Sequence, residues 1–161
     1  MGVLSFTVEF TTLVDPAEFF RAFVLDSHNL VPKVMPESVK SVHFVEGDGG
    51  VGSIKQTNYV CGDQVKYLKH RIDAIDEEAL ACKYSLIEGD VLVDKLEFIA
   101  FDVKFGASDN GGCACKITSE YHFKDGVNVN IERIKNGTED KATELFKVIE
   151  KYLLENPPGH A

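Results

Sequence analysis

The hydrophobic period of this chain changes near residue 125 from a long run of strands to a helical step, and that change constrains the fold more than any other feature. From Val39 to Lys124 the residues read as short strands. Turn-favouring residues interrupt them at Gly47–Gly52, Cys61–Asp63, Asp76–Glu78, Glu88–Asp90 and Ser108–Gly112. These breaks mark six strands at the spacing of an antiparallel meander, and those at 61–63 and 108–112 have the type and length of hairpin turns. Beyond the change, Ile131, Ile134, Thr138, Ala142, Leu145, Ile149 and Tyr152 recur at steps of three or four, and Phe146 and Leu153 widen the stripe. The spacing predicts a helix from about 130 to 155, roughly 38 Å long at 1.5 Å per residue. Gly137 within it costs ~1 kcal/mol relative to alanine and favours a bend or a frayed first turn.

The first forty residues supply one more strand and two short helices. Residues 3–12 alternate, with Leu4, Phe6, Val8 and Phe10 on one face, which predicts a half-buried strand. Asp15-Pro-Ala-Glu18 is a helix start, with Asp15 as N-cap, Pro16 in the first helical position and Glu18 three residues on. Phe19, Phe20, Phe23 and Val24 give that helix a broad apolar stripe. A second helix or turn pair is expected over Asp26–Val34, stopped near Pro32 and Pro36. Strand, two short helices, six strands and one long helix make a single α+β domain over residues 1–161, in which the long helix covers one face of a sheet.

Composition removes several function classes. Apolar residues make up 44% of 161, enough for a real core. A net charge of −9 argues against general affinity for nucleic acid or anionic membrane, both of which call for a cationic face. The first residues carry neither a basic start nor an apolar run, and Phe6 stands where myristoylation of Gly2 would want Ser or Thr. A cytoplasmic protein is therefore expected, with Cys61, Cys82, Cys113 and Cys115 as free thiols. No metal site is expected: there is no CxxC, and Cys113 and Cys115 share a strand face that His122 does not. By the same reading the protein needs no cofactor.

The glycine run Gly47-x-Gly49-x-x-Gly52 matches a dinucleotide fingerprint by letter alone. That motif works at a helix N-terminus, and Ser53–Tyr59 reads as a strand. The expected structure is a glycine-built hairpin turn. A weak anion site formed by Lys55 and the loop amides is the competing reading.

The segments Glu46-Gly-Asp-Gly-Gly-Val-Gly-Ser-Ile-Lys55, Lys69-His-Arg-Ile-Asp-Ala-Ile-Asp76, Tyr84-Ser-Leu-Ile-Glu-Gly-Asp90, Asn29-Leu-Val-Pro-Lys33 and Tyr152-Leu-Leu together resemble the plant pathogenesis-related class ten proteins, the birch-pollen allergen family. The resemblance runs from Gly2 to about Asn156. It implies a seven-stranded curved antiparallel sheet wrapped around the long helix, enclosing a hydrophobic cavity. It also implies an intracellular, monomeric binding, storage or carrier protein for amphipathic plant metabolites or hormones: flavonoids, cytokinins, steroids or fatty acids. Members are linked to defence and stress, and several are allergens.

Strand alternation and family position together place Phe23, Val39, Tyr59, Tyr67, Cys82, Tyr84, Phe101, Val103, Ile117, Leu145 and Ile149 in the cavity wall. His70 and Tyr121 are expected to add polar contacts to the guest. Cys82 stands where relatives commonly carry an aromatic residue, so the cavity should be reshaped. No catalytic residue is assigned. The enzymatic alternatives are a weak ribonuclease using Lys55, Glu97, Glu150 and Tyr152 near the glycine loop, or an alkaloid-type condensing enzyme. The second needs a lysine and a carboxylic acid inside the cavity, and none of the assigned wall positions supplies either.

Overall fold

The alternation in the first residues becomes strand β1 (Val3–Thr12), in which Leu4, Phe6, Val8 and Phe10 are partly buried while their neighbours are exposed. The structure is a computed structural model that describes residues 2–92, 95–109 and 111–156. Met1, Asn110 of the last expected turn, and residues 157–161 of the expected domain lie outside them. The meander follows as β2 (Val39–Glu46), β3 (Ile54–Cys61), β4 (Gln64–Asp76), β5 (Ala81–Gly89), β6 (Leu96–Ala107) and β7 (Cys113–Phe123). All pairings are antiparallel, in the order β1-β7-β6-β5-β4-β3-β2.

Because β1 and β2 lie at opposite edges, the segment joining them must cross the whole sheet. Helix α1 (Pro16–Phe20) opens as its sequence predicts: the Asp15 carboxylate accepts from the Ala17 and Glu18 amides at 3.1 and 3.3 Å. It then widens into a π-helical turn over Arg21–Leu25, closed by the Asp26 amide on the Arg21 carbonyl at 2.8 Å. Helix α2 (Ser27–Val34) follows. Here one expectation is corrected, since Pro32 lies inside α2 and does not stop it. Its ring forfeits only the bond to the His28 carbonyl, and the helix ends where Pro36 forces Met35 out of the helical region.

The long helix α3 (Ile131–Glu155) begins on an Asn130 side chain that accepts from the Arg133 amide at 3.0 Å. Its stripe is unevenly used. Phe146, Ile149 and Leu153 are buried, Ile134, Thr138, Ala142 and Leu145 only partly, and Ile131 is 51% exposed. Phe146 stacks on Phe10 of β1 at 4.4 Å and on Phe19 of α1 at 4.6 Å between ring centroids, tying the three elements together.

One core cluster centres on these rings, with Phe20, Phe105, Val103, Cys113, Cys115 and Ile117. A second, of Leu86, Leu92, Leu96, Ile99 and Phe123, packs Phe101, Tyr121 and Ile134. Register shifts in β2/β3, β4/β5 and β6/β7 break the ladder where the sheet must curve.

Candidate functional site

Under the less buried half of α3 the sheet and helices leave a cavity of about 390 Å³. Its wall draws on every layer of the fold. Phe23 and Val24 come from the π-helical turn, Ser27, Val31 and Met35 from α2 and its end, and Val39 and Val42 from β2. Strand β3 adds Lys55 and Thr57, β4 adds Leu68, His70, Ile72 and Ile75, β5 adds Cys82 and Tyr84, and α3 adds Lys141, Glu144 and Leu145. The lining is mostly aliphatic and aromatic with a few polar groups, the pattern of a site for a small organic guest.

Of the expected wall residues, Phe23, Val39, His70, Cys82, Tyr84 and Leu145 line this space. The other assignments are corrected. Val103, Ile117 and Ile149 are buried in the first cluster and are not part of the cavity lining. Phe101 belongs to the second cluster and stacks behind Tyr84 at 4.9 Å. Tyr121 packs in that cluster too, with its hydroxyl bonded to Thr138 rather than free for a guest. Tyr59 shares a strand face with Lys55 and Thr57 but lies beyond Thr57, outside the lining. Tyr67 points the other way: it is 39% exposed, and its hydroxyl donates to Glu88 on the outer surface.

The register explains the error at Tyr67. The two-residue loop Gly62-Asp63 pairs Cys61 with Gln64 and, counting back, Asn58 with Tyr67 and Lys55 with His70. Directly opposed residues share a face, so Tyr59 and Tyr67 cannot both point inward, whereas Lys55 must accompany His70. That hairpin was legible in the sequence, and counting its register would have placed Lys55 in the wall. Further along β4, a register shift between Ile72 and Ala74 turns Ile75 inward.

Lys55 is the residue that changes the chemistry of the site. Its ammonium donates to Ser27 Oγ at 3.0 Å, and burial lowers its pKa from the ordinary lysine range. No carboxylate among the described residues pairs with it. Opposite it, burial and then the Lys55 charge lower His70 to about 3, so the imidazole is neutral. His70 Nδ1 is buried and has no hydrogen-bond partner among the described residues. Burial raises the Tyr84 phenol and pushes the Cys82 thiol up to about 12, so both keep their protons. The cavity wall includes lysine and carboxylate groups, in Lys55, Lys141 and Glu144, at positions outside those assigned from the sequence.

The glycine loop is not an anion cradle. The Gly49 amide donates to Ser53 Oγ at 3.0 Å, Gly50 to Asp48 Oδ1 at 3.3 Å and Gly52 to the Ile72 carbonyl at 2.8 Å. Lys55 turns into the cavity and away from these amides. Glu97 is exposed, Glu150 does not line the cavity, and the Tyr152 hydroxyl accepts from Lys33 at 3.1 Å. The four residues of the ribonuclease reading are not brought together. All four cysteines are unpaired, Cys61 alone of them exposed. Among the described residues no three His, Cys, Asp or Glu side chains are placed to share a metal ion, and no helix is long and apolar enough to cross a membrane.

The model of the pathogenesis-related protein Bet v 1 family matches residues 1–156. The chain is similar to pathogenesis-related protein STH-21 of Solanum tuberosum, 51% identical over the whole of both chains. It is also similar to major allergen Pru ar 1 of Prunus armeniaca, 49% identical over 99% of each. The crystal structure of Ara h 8.0201 superposes with a TM-score of 0.86 at 34% identity, over 96% of this chain and all of that one.

Proposed function

The chain belongs to the pathogenesis-related protein Bet v 1 family, and from that premise we propose that its cavity holds one flat, amphipathic metabolite without altering it. Flavonoids, cytokinins, steroids and fatty acids have the right chemistry, each pairing an apolar body with a few polar groups. On this reading the protein is a cytoplasmic, monomeric carrier or store that acts in defence and stress, with no role on nucleic acid or membrane.

One observation carries the proposal. The wall is mostly apolar, and Lys55, His70 and Tyr84 bring polar groups to it from three adjacent strands. A ring system lying on Leu68, Ile72 and Leu145 can then be oriented by a donor at each of Lys55 and Tyr84 and by the unpartnered His70 nitrogen. The ribonuclease reading has no such support, because the Gly49, Gly50 and Gly52 amides bond within the protein and Lys55 faces inward.

Displacement of a fluorescent apolar probe tests this directly. Flavonoids and fatty acids are expected to compete with the probe, and mass spectrometry of the released competitor should recover it unchanged. A protein that takes up no probe, or returns the competitor chemically altered, overturns the reading.

A further inference from the structure

We propose that Lys55 is a covalent capture site for carbonyl compounds: an apolar aldehyde entering the cavity condenses with its amine to form an imine. The inference rests on the cavity admitting guests, as above, and goes beyond reversible binding.

Three observations converge on it. Lys55 lines a mostly apolar cavity and has no carboxylate partner among the described residues; its ammonium donates to the neutral Ser27 hydroxyl at 3.0 Å. His70 stands opposite it in the β3/β4 ladder with a buried Nδ1 that has no hydrogen-bond partner among the described residues. The other groups facing the space leave the amine uncompensated. Cys82 and Tyr84 keep their protons, and Glu144, a carboxylate at the cavity's solvent-exposed α3 wall beside Lys141, makes no ion pair with Lys55 among the described residues. Burial lowers the ammonium's pKa, so more of this amine is unprotonated at neutral pH than an exposed lysine provides. A desolvated lysine of this kind is the usual nucleophile toward carbonyl carbon.

The step needs no oxidant or metal. The amine lone pair attacks the carbonyl carbon, and the π electrons move to oxygen. A proton passes from nitrogen to that oxygen, giving a carbinolamine. The nitrogen lone pair then expels the oxygen, which leaves as water with both amine hydrogens, and a C=N bond remains. His70 Nδ1 offers the carbinolamine hydroxyl a hydrogen-bonding partner, and Ser27 Oγ holds the nitrogen at the wall. The aldehydes this wall accepts carry an aryl or alkyl chain, because Leu68, Ile72 and Leu145 offer only apolar contact.

Reductive trapping decides it. The folded protein is incubated at pH 7 with 3-phenylpropanal and sodium cyanoborohydride, then digested and mapped by mass spectrometry. The expected product carries the aldehyde's mass less one oxygen on Lys55, formed at least tenfold faster than on any other lysine. 3-Phenylpropanol, which fits the same space but has no carbonyl, should suppress labelling of Lys55 and leave other lysines untouched. Lys55→Met should lose the fast adduct; the alcohol competition gives the same information should that variant fail to fold. Labelling spread evenly over surface lysines, or concentrated on Lys141, overturns the inference. If the alcohol displaces the fluorescent probe while Lys55 stays unlabelled, binding stands and carbonyl capture fails.

Discussion

At the scale of single residues, the cavity wall stores electrostatic cost. His70 is held far below its unfolded value, at about 3, so between that value and about 6.5 the unfolded chain binds a proton that the folded chain does not. Stability due to a neutral His70 is therefore full above pH 6.5 and falls as the solution is acidified. Urea unfolding of the protein and of His70→Asn should diverge below about pH 6, with the wild type losing up to ~1.4 kcal/mol more per pH unit. Parallel curves between pH 7 and 4 would contradict the burial of this ring.

Lys55 has the same sign of shift and a different window. Its depressed pKa means the unfolded chain holds the extra proton up to about pH 10.4, so the penalty is full at low pH and disappears above that value. Lys55→Met should raise stability by about 1 kcal/mol or more at pH 7. The gain should shrink as pH rises toward 10; a loss of stability at pH 7 would show that the charge is compensated.

At the scale of elements, the glycine loop separates a structural role from a chemical one. Gly47 has φ +76, and a Cβ there would fall 2.2 Å from Ser53 Oγ, the oxygen that receives the Gly49 amide. Gly49 has φ +111 with the Phe44 ring 3.4 Å from the same virtual atom, whereas Gly50 has neither a positive φ nor a close neighbour. Gly47→Ala and Gly49→Ala should each cost at least ~1 kcal/mol in chemical denaturation, and Gly50→Ala under ~0.5. Equal costs at all three would mean that the loop's backbone angles do not matter.

The elements themselves were legible because each carries its own local pattern: the Asp15-Pro16 start, the two-residue turn at Gly62-Asp63, and the switch to a helical period after residue 125. Pro32 was misread because a proline's stop signal depends on how far into a helix it sits. Ile131 was misread because a periodic stripe does not say which of its turns have a sheet beneath them. Gly137 remains helical with open space around it, so Gly137→Ala should stabilise the protein by ~1 kcal/mol, measured by thermal unfolding.

At the scale of the whole molecule, function depends on a space that no local pattern encodes. Alternation predicts which face a residue takes, and here it correctly turned Cys82, Tyr84, Val103 and Ile117 inward. It cannot tell a side chain that borders a void from one whose neighbours fill it. Phe19 and Phe146 fill the region around Val103 and Ile149, while the partly buried α3 residues near Leu145 leave room. Substituting arginine at Val103 would therefore disrupt the core rather than block the cavity, and a wall residue is the proper probe.

Cys82 is such a residue. A phenylalanine there adds bulk to the wall of the space that Lys55 and Tyr84 also line. Burying roughly 300 Å² of guest surface supplies about 7.5 kcal/mol before ordering costs. Two or three hydrogen bonds at ~1 kcal/mol net offset part of those costs and bring the total near the −8 kcal/mol of a 1 μM complex. Tyr84→Phe should then weaken binding by about 1 kcal/mol, roughly fivefold, which the same titration would read.

Calorimetric titration of the wild type and Cys82→Phe with one panel of flavonoids, cytokinins, steroids and fatty acids tests the cavity account most directly. At least one compound should bind the wild type with a Kd of about 1–10 μM and bind Cys82→Phe at least tenfold more weakly, with unchanged unfolding cooperativity in both. If no compound binds below about 100 μM, or Cys82→Phe binds as tightly as the wild type, the cavity is not where this protein takes its guest.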